Sequence, residues 1–352
     1  MPDESIPDTG GRPPRRKRYA GRNPRKFAEK YKEHRGDAAT LQKVEAAGKT
    51  PAGRHRPVMV TESLAVLAIR PGDTVAEGTL GYGGHTREFL RAAAPGGRIV
   101  ALDVDPVQLA RTAERLSAEG FGEEVLLTRH SNFAGLPRVL AEAGLPGGVD
   151  VIFADLGVSS MQIDDPSRGF SWKATGPLDM RLNPSRGTTA GELQQKLTPE
   201  KLAALLEENA DEPHAAALSQ ALAGRMFANT VRLAAAIREV VAPVVRLRTD
   251  AAEQTEKSLR RVFQALRIAV NDEFSALDSL LRALPQCLKP GGRVAILTFH
   301  SGEDRRVKKA FAALEQSGGW HQPDEQPRRP LPAEQRANPR STSASLRWIV
   351  RG

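Results

Sequence analysis

Three short segments combine glycine, acidic residues and histidine in patterns that could bind a ligand. The first, EGTLGYGGH (77–85), places glycines directly after a short apolar run and before a helical pattern, TREFLRAA (86–93). Glycines at such a turn let backbone N–H groups approach a ligand closely, and the N-terminus of the following helix favours negative charge. The same residues also suit a plain connection between a strand and a helix, so the turn alone identifies no ligand.

Asp103 strengthens the ligand interpretation, because it ends the strand predicted after the glycine turn. An acid about twenty residues beyond such a turn typically accepts hydrogen bonds from ribose hydroxyls. The turn fits neither the six-residue dinucleotide fingerprint nor a phosphate-binding loop, which needs Gly-Lys-Ser/Thr. S-adenosylmethionine suits the pattern better, because it requires ribose and adenine contacts but no cradle for a pyrophosphate.

The other two segments follow later predicted strands. DLGVSSMQ (155–162) begins with Asp155 at the carboxyl end of a strand, and HSGEDR (300–305) closes a later strand on the same edge. Ligands of open α/β sheets bind at these strand ends, so both segments should face the cofactor cleft. The alternative for each is structural: Asp155 could cap the next turn, and HSGEDR could be a loop that starts a helix.

These segments require a sheet of parallel strands to bring them together. Short apolar runs alternate with amphipathic helical patterns, such as the one over 106–120. This alternation predicts an α/β fold with a mostly parallel, doubly wound sheet. The strand pattern stops between about 165 and 265, where Ala/Leu/Glu-rich segments indicate a helical insertion. The predicted strands are 74–77, 98–103, 124–128, 149–155, 293–300 and 345–350.

Composition sets limits on the function classes. The 352 residues are 40% hydrophobic and 26% charged, which suits folded domains of modest size. The net charge is +9, but residues 1–50 hold 13 Lys/Arg and 7 Asp/Glu, and therefore +6 of it. We predict that residues 1–50 form a basic, disordered tail, either simply solubilising or contacting phosphates. The charge therefore favours an acidic partner without identifying the substrate.

Cysteine content and hydropathy exclude further classes. The single cysteine, Cys287, excludes an internal disulfide and any multi-cysteine metal site, and we expect no metal. No run approaches the ~20 apolar residues of a membrane span, and the N-terminus lacks the apolar stretch of a signal peptide. We therefore expect a cytoplasmic protein without a membrane partner. The oligomeric state, monomer or homodimer, is left open.

From about residue 55 onward the chain resembles the 16S ribosomal RNA cytosine-N4 methyltransferase family (RsmH, also called MraW). The glycine turn alone is common to many methyltransferases, but the ordered set of motifs is far more specific. These motifs are HRPVM (55–59), EGTLGYGGHT (77–86), ALDVDP (101–106), DLGVSSMQIDD (155–165), RGFSW (168–172), GPLDMRLNP (176–184), RVFQALRIAVNDE (261–273), LKPGGRVAILTFHSGEDRRVK (288–308) and NPR (338–340).

The resemblance implies a class I, Rossmann-like methyltransferase that uses S-adenosylmethionine. The methyltransferase domain would comprise 51–164 and 266–352, and the insertion, 165–265, would recognise the substrate. Asp103 would hold the ribose and Phe133 would lie against the adenine. The remaining cofactor contacts that the resemblance implies are Gly83, Gly84 and His85 at the methionine end, with Asp155 and Gln162 completing the pocket.

The same resemblance implies methylation of a cytosine N4 in the decoding centre of 16S ribosomal RNA. Our hypothesis for catalysis is that Asp155 stabilises the charge that grows on the amine, while Asn271 and His300 shape the base pocket. Asp155 could instead serve the cofactor alone. Phe170 and Trp172 are candidates for the wall that receives the base, or for ordinary core packing. Two alternatives remain: an amino methyltransferase acting on another nucleic acid, and a non-catalytic ribosome-assembly factor.

The chain departs from the usual family pattern at several positions. Glu77 stands where the family usually has Asp, and Leu80 and Tyr82 stand where Phe and Arg are common. Gly302 replaces the leucine of the usual HSLEDR. Because Glu77 keeps a carboxyl group, we expect little effect on cofactor binding there, whereas Tyr82 removes a cation near the pocket.

Overall fold

Residues 57–352 are described by a computed structural model, and the tail predicted over 1–50 lies outside them. Their strands form one sheet with the order β3-β2-β1-β4-β5-β7-β6. Strands β1 to β5 pair in parallel, and β7 runs antiparallel to both of its neighbours. The strands are β1 Thr74–Glu77, β2 Arg98–Asp103, β3 Leu126–His130, β4 Val149–Asp155, β5 Leu288–Thr298, β6 Trp320–His321 and β7 Ser345–Arg351.

The predicted strand bounds agree best where an apolar run ends in a charged residue. β1, β2 and β4 have the predicted limits, whereas β3 begins two residues later than predicted. β5 starts at Leu288, since KPGG (289–292) is accommodated as an irregularity in its pairing with β4. It ends at Thr298, so His300 lies beyond the strand. β6 escaped prediction because two residues carry no periodicity.

Helices cover both faces of the sheet. Because both faces are buried, the strands are continuously apolar rather than alternating. Short 3-10 turns lie at Phe133–Gly135, Pro166–Arg168 and Pro339–Ser343. The helices are α1 Val60–Leu67, α2 Gly84–Ala93, α3 Pro106–Ala118, α4 Leu136–Glu142, α5 Ser160–Asp164, α6 Ala190–Lys196, α7 Pro199–Ala210, α8 Ala215–Leu222, α9 Thr230–Val245, α10 Ala251–Asn271, α11 Glu273–Cys287, α12 Ser301–Gln316 and α13 Pro332–Ala337.

Two apolar cores lie on opposite faces of the sheet, and successive residues of one strand pack alternately into each of them. In β2, Val100 and Leu102 pack with α4, α11 and α12 on one face. Ile99 and Ala101 pack with α1, α2 and α3 on the opposite face. This arrangement confirms the predicted mostly parallel, doubly wound sheet and turns the carboxyl ends of β1, β2, β4 and β5 toward one edge.

The segment between β4 and β5 is helical, as α6 to α10 show. These helices share an apolar cluster of their own, with Leu206, Leu218 and Leu233 fully buried in it. The predicted boundary at 265 falls inside α10, which continues to Asn271. The assignment of this segment as a separate substrate-recognition domain stays a prediction. Among residues 57–352, no helix is long and apolar enough to cross a membrane.

Candidate functional site

A cavity of about 570 Å³ lies along the carboxyl edge of the sheet. Its walls include the residues that follow β1, β2, β4 and β5, among them Gly81, Asp103, Asp155 and Phe299. Since these strands lie in the order β2-β1-β4-β5, the cavity has two distinct ends. We call the end at Asp103 the turn end and the end beyond β5 the charged end.

The carboxylate of Asp103 is held at the turn end by two backbone N–H groups. Its Oδ2 accepts a hydrogen bond from the N–H of Gly81 at 2.8 Å, and its Oδ1 accepts one from the N–H of Asp105 at 2.8 Å. The N–H of Gly83 donates to the carbonyl of Leu80. The N–H groups of Gly81 and Gly83 are thus bonded within the protein. The turn therefore does not present these groups to a pyrophosphate, in accord with the predicted cofactor class.

Burial raises the pKa of Asp103 to about 6, although the N–H groups of Asp105 and Gly81 counteract the shift. A carboxylate that accepts these bonds keeps further lone pairs for hydroxyl donors. Asp103 lines the cavity, so the structure places it where a ribose could be held.

The two glycines of the predicted methionine end differ in position. Gly84 lines the cavity, and a Cβ there would lie 2.8 Å from Cγ of Pro57. Gly83 is not part of the cavity wall. Its φ is +62°, and a Cβ would lie 2.8 Å from Cδ1 of Leu116. Gly83 is therefore required for packing against α3, and its assignment as a cofactor contact stays a prediction that the geometry does not favour.

His85 lies in the first turn of α2 and connects the glycine turn to β4. Its Nε2 is 3.0 Å from the carbonyl oxygen of Val58, and its Nδ1 is 3.7 Å from Oδ2 of Asp155. The ring packs against Phe153 with centroids 4.7 Å apart. His85 is buried but lines the cavity and is fixed beside Asp155, and its contact with the methionine end stays a prediction.

Phe133 forms part of the wall at the turn end. It follows β3 in a 3-10 turn and lies against Gly78, whose added Cβ would come within 3.0 Å of the Cβ of Phe133. The ring is half-buried and lines the cavity. An aromatic side chain in this place suits stacking against an adenine, and that role stays a prediction.

Gln162 also lines the cavity, but its amide is occupied by the protein. Its Oε1 accepts the N–H of Ser159 at 2.8 Å, which completes a capping box at the start of α5. Its Nε2 donates to Oδ2 of Asp105 at 3.0 Å. Gln162 is therefore held in a fixed orientation by these two bonds, with a second N–H and a second lone pair left over.

Asp105 is a residue that the sequence analysis did not single out. It is 1% exposed, and its Oδ1 caps α3 by accepting the N–H of Val107 and Gln108. Its Oδ2 accepts from Gln162 and also from Nη1 of Arg168 at 2.7 Å. Asp105 thus joins the start of α3 and Gln162 of α5 to the RGFSW segment. The Asp-Pro pair that typically starts a helix was the available signal.

Asp155 lies at the boundary between the two ends. Its N–H donates to Oγ1 of Thr79 at 2.7 Å, which fixes the end of β4 against the glycine turn. Its Oδ1 is buried without a hydrogen-bond partner among residues 57–352. Burial, and to a smaller extent the charge of Glu303, raises the pKa of Asp155 to about 7. Such an oxygen is available to a ligand.

Glu303 dominates the charged end and was not singled out in the sequence either. It is buried, lines the cavity, and accepts the N–H of Phe299 through Oε2 at 2.7 Å. Its Oε1 lies 3.2 Å from Nε2 of His300. Burial alone would raise the pKa of Glu303, but His300 and Arg267 hold it below its ordinary value. Glu303 is therefore ionised at neutral pH.

Arg267 supplies the counter-charge at this end. It lines the cavity and donates through Nε and Nη2 to the two carboxylate oxygens of Glu273, each at 2.8 Å. Glu273 lines the cavity as well. The motif RVFQALRIAVNDE contains both residues, but their spacing across the end of α10 gave no sign that they form a pair.

His300 and Asn271 lie behind the cavity wall. Nδ1 of His300 is buried with no hydrogen-bond partner in the described part of the chain, and its ring lies 5.8 Å from that of Phe274. The Asn271 amide accepts the N–H of Leu182 and donates to the carbonyl of Met180. Any effect of Asn271 on the base pocket would therefore act through the 180–182 segment.

The two aromatic candidates both line the cavity. Trp172 packs edge-on against Phe263 with centroids 5.0 Å apart, and Phe170 is more deeply buried. Lys173 and Arg260 complete this side of the opening. The charged end therefore combines apolar walls with carboxylates and cations, whereas no group of three His, Cys, Asp or Glu in residues 57–352 could hold a metal.

The departures at Glu77 and Tyr82 have different consequences. Glu77 is fully buried and accepts the hydroxyl of Thr86 at 2.6 Å. Burial raises its pKa to about 8, so its carboxyl group is neutral at neutral pH. Tyr82 lines the cavity with Arg115 5.7 Å from its ring centroid, and burial raises the Tyr82 pKa to about 12. A cation is thus retained close to this position.

Comparison with known proteins identifies the family. The model of the MraW methylase family matches residues 52–351, nearly the whole described chain. The chain belongs to the MraW methylase family. The predicted family and the predicted class I methyltransferase fold are both confirmed.

Relatives of this MraW methylase are similar along most of their length. "Ribosomal RNA small subunit methyltransferase H 1" of Lachnoclostridium phytofermentans is 45% identical, over 96% of this chain and 93% of the relative. "Ribosomal RNA small subunit methyltransferase H 2" of Alkaliphilus metalliredigens is 44% identical, over 96% and 97%. "Ribosomal RNA small subunit methyltransferase H" of Halorhodospira halophila is 40% identical, over 84% and 94%.

Proposed function

We propose that this MraW methylase transfers a methyl group from S-adenosylmethionine to N4 of a cytidine in the decoding centre of 16S ribosomal RNA. The observation that carries the proposal is the cavity along the carboxyl edge of the sheet. Its turn end suits an adenosine, and its charged end offers carboxylates, cations and aromatic walls to a second, planar group. The names of the similar proteins agree with such a substrate.

The residues of the turn end fit S-adenosylmethionine on structural grounds. Asp103 would hold the ribose and Phe133 would lie against the adenine, since both line the cavity together with Gly84 and His85. The buried, unpartnered Oδ1 of Asp155 suits a cationic ligand, because a nearby positive charge favours the ionised carboxylate. S-adenosylmethionine supplies an electrophilic methyl group on a sulfonium.

The protein must compensate for a weak nucleophile. The lone pair of the cytosine amine is delocalised into the ring, so the base has to be held with N4 about 3–3.5 Å from the methyl carbon and correctly aligned. Positive charge grows on N4 during transfer, and a preorganised carboxylate stabilises it best where water is excluded. Asp155, Glu303 and Glu273 are the carboxylates on this part of the wall, and Glu273 is already paired with Arg267.

The target base has to leave its stack to enter the cavity. Aromatic walls receive extruded bases, and Trp172, Phe263 and Phe274 line the charged end. Single-stranded or distorted RNA is the expected target, because an A-form duplex hides its base edges in a deep groove. Residues 165–265 and the basic tail would contact the RNA backbone, and Lys173 and Arg260 are exposed cations of this segment that line the cavity.

The test is mass mapping of small-subunit ribosomal RNA from a strain that lacks this protein. We expect loss of one methyl group at an N4-methylated decoding-site cytidine, restored by the wild-type gene. Because the proposed substrate is part of the ribosome, the proposal also includes a cytoplasmic location for the enzyme. A mark that persists in the deletion strain would refute the proposal.

The alternatives predict different results in two further measurements. An amino methyltransferase for another nucleic acid would label DNA or other RNA, but not ribosomal subunits, with a radioactive methyl group. A non-catalytic assembly factor would show no binding of S-adenosylmethionine in isothermal titration.

A further inference from the structure

We propose that Glu303 is the catalytic residue that accepts the hydrogen bond of the target amine, and that Asp155 serves the cofactor side. The inference rests on the proposed function, since it assigns a role within the same reaction. It differs from the sequence-based hypothesis, which gave the role at the amine to Asp155. Four features of the charged end carry it.

The first feature is the order of the groups along the sheet. Asp103 ends β2, the glycine turn follows β1, Asp155 ends β4, and Glu303 follows β5. Asp155 is opposite Leu297 in the pairing of β4 with β5, so the segment that leads to Glu303 leaves the sheet directly beside it. An adenosine held at Asp103 directs its far end toward Asp155, and the position beyond it belongs to Glu303.

The second feature is the fixed orientation of the Glu303 carboxylate. Oε2 accepts the N–H of Phe299 at 2.7 Å, which is a bond from the residue that follows β5. Glu303 also lies in the first turn of α12, where the helix macrodipole favours a negative charge. The carboxylate is thus oriented before substrate arrives, which is the condition for effective electrostatic stabilisation.

The third feature is the set of charges that face Glu303. His300, the N-cap residue of α12, lies 3.2 Å from Oε1 of Glu303. Arg267 of α10 stabilises the negative charge of Glu303, whereas the carboxylate of Asp155 at the end of β4 repels it. Arg267 is in turn paired with Glu273, so its charge is shared between two carboxylates. Glu303 therefore keeps a net negative charge toward the cavity without being neutralised by a bidentate partner of its own.

The fourth feature is the apolar surround. Phe274 and Leu277 line the same end of the cavity, and Phe263 lies on the insertion side. A base seated among them excludes water from Glu303. Attraction between a carboxylate and a developing positive charge is strongest under these conditions.

Methyl transfer forms one bond, breaks one bond and releases one proton. N4 forms its bond to the methyl carbon as the carbon–sulfur bond breaks, and the electron pair of that bond stays on sulfur. The nitrogen then holds two hydrogens and a positive charge. An oxygen of Glu303 accepts one of these protons and passes it to water, which leaves a neutral methylated amine.

The experiment compares E303Q with E315Q, which makes the same chemical change at the exposed end of the same helix. With purified enzyme and small ribosomal subunits, single-turnover methyl transfer should fall about 100-fold in E303Q. In E315Q it should stay within about twofold of the wild type. Isothermal titration should give E303Q the wild-type affinity for S-adenosylmethionine, because Glu303 lies beyond the cofactor.

D155N provides the reciprocal measurement. We expect it to weaken S-adenosylmethionine binding about tenfold or more, since it removes a charged partner of the cofactor. Near-normal transfer by E303Q would overturn the assignment, and so would a loss of cofactor affinity in E303Q equal to that in D155N. If the wild-type enzyme itself labels no ribosomal cytidine, the proposed function fails instead.

E303D covers the case in which E303Q does not fold. It keeps the charge and the first-turn position but withdraws the oxygens by one methylene. Slower transfer with unchanged cofactor affinity would support the role at the amine. Full transfer activity in E303D would contradict it, because the carboxylate would no longer reach N4.

Discussion

The two ends of the cavity satisfy their polar groups in different ways. At the turn end, both oxygens of Asp103 accept N–H groups from residues of the two neighbouring loops, and the glycine N–H groups are bonded as well. At the boundary between the ends Oδ1 of Asp155, and behind the wall of the charged end Nδ1 of His300, are buried without a partner within residues 57–352. The carboxylate of Asp103 is thus held by the protein itself, whereas the unpartnered oxygen of Asp155 is completed by what binds beside it.

Among substitutions that distinguish the two ends, we expect the largest effect at Asp103. D103A removes the predicted ribose contact and leaves the N–H groups of Gly81 and Asp105 unpaired, at about 1–3 kcal/mol each. We expect the dissociation constant for S-adenosylmethionine to rise at least ~100-fold, which isothermal titration measures.

E88A is the matched control for D103A, because Glu88 lies on the exposed side of α2 in a surface pair with Arg91. Its stability and cofactor affinity should change by no more than about 0.5 kcal/mol. Wild-type cofactor affinity in D103A would mean that the adenosine does not bind at the turn end, and the distinction between the ends would be lost.

The protonation state of Glu77 decides how many negative charges lie at the turn end. Its pKa is raised from 4.5 to about 8, so between these values the unfolded chain is ionised at this position while the folded chain is protonated. The folded state therefore binds the extra proton. The contribution of Glu77 to stability is fully present below about pH 4.5 and is lost as the pH rises through about 8.

E77Q removes this dependence while its amide oxygen can still accept the Thr86 hydroxyl. We expect the unfolding free energy of E77Q relative to wild type to increase by on the order of 2 kcal/mol from about pH 5 to about pH 8. Denaturant unfolding at several pH values measures it, with E88Q as the exposed control. A parallel pH dependence in E77Q and wild type would show that Glu77 is ionised in the folded protein.

The contrast also explains what could be predicted from the sequence. Asp103 and the glycine turn depend on contacts within one strand–turn–helix unit and the next strand, so spacing along the chain was sufficient. The same local logic placed β1, β2 and β4 correctly. The cofactor contact of Gly83 stays a prediction, because a glycine in a turn carries no sign of whether it makes room for a cofactor or for a packed side chain such as Leu116.

The charged end could not be predicted in this way, because its groups come from separated parts of the chain. Glu303, Arg267 and Asp155 meet only when β5 and α10 are placed beside β4. Their motifs were recognised as family features, but the sequence does not say which carboxylate faces the cavity. Asn271 and His300 were predicted to shape the base pocket, and neither lines the cavity.

Gly302 offers the smallest and most specific test of the charged end. In this chain it stands where related proteins usually have leucine. A Cβ there would lie 2.7 Å from Cζ of Phe274 and 3.2 Å from Nδ1 of His300. The missing side chain therefore lets Phe274 reach the cavity wall beside Glu303.

G302A should displace Phe274 by a few tenths of an ångström. The ~1 kcal/mol that alanine gains over glycine in a helix should largely offset the clash, so the melting temperature should hardly change. Methyl transfer should fall a few-fold while cofactor affinity stays constant, because the change touches only the charged end. G191A is the control: it lies in α6, where the added Cβ comes no closer than 3.5 Å to Leu178. Equal transfer rates in G302A, G191A and wild type would show that Phe274 does not position the base. The charged end would then tolerate a change in packing, unlike the turn end.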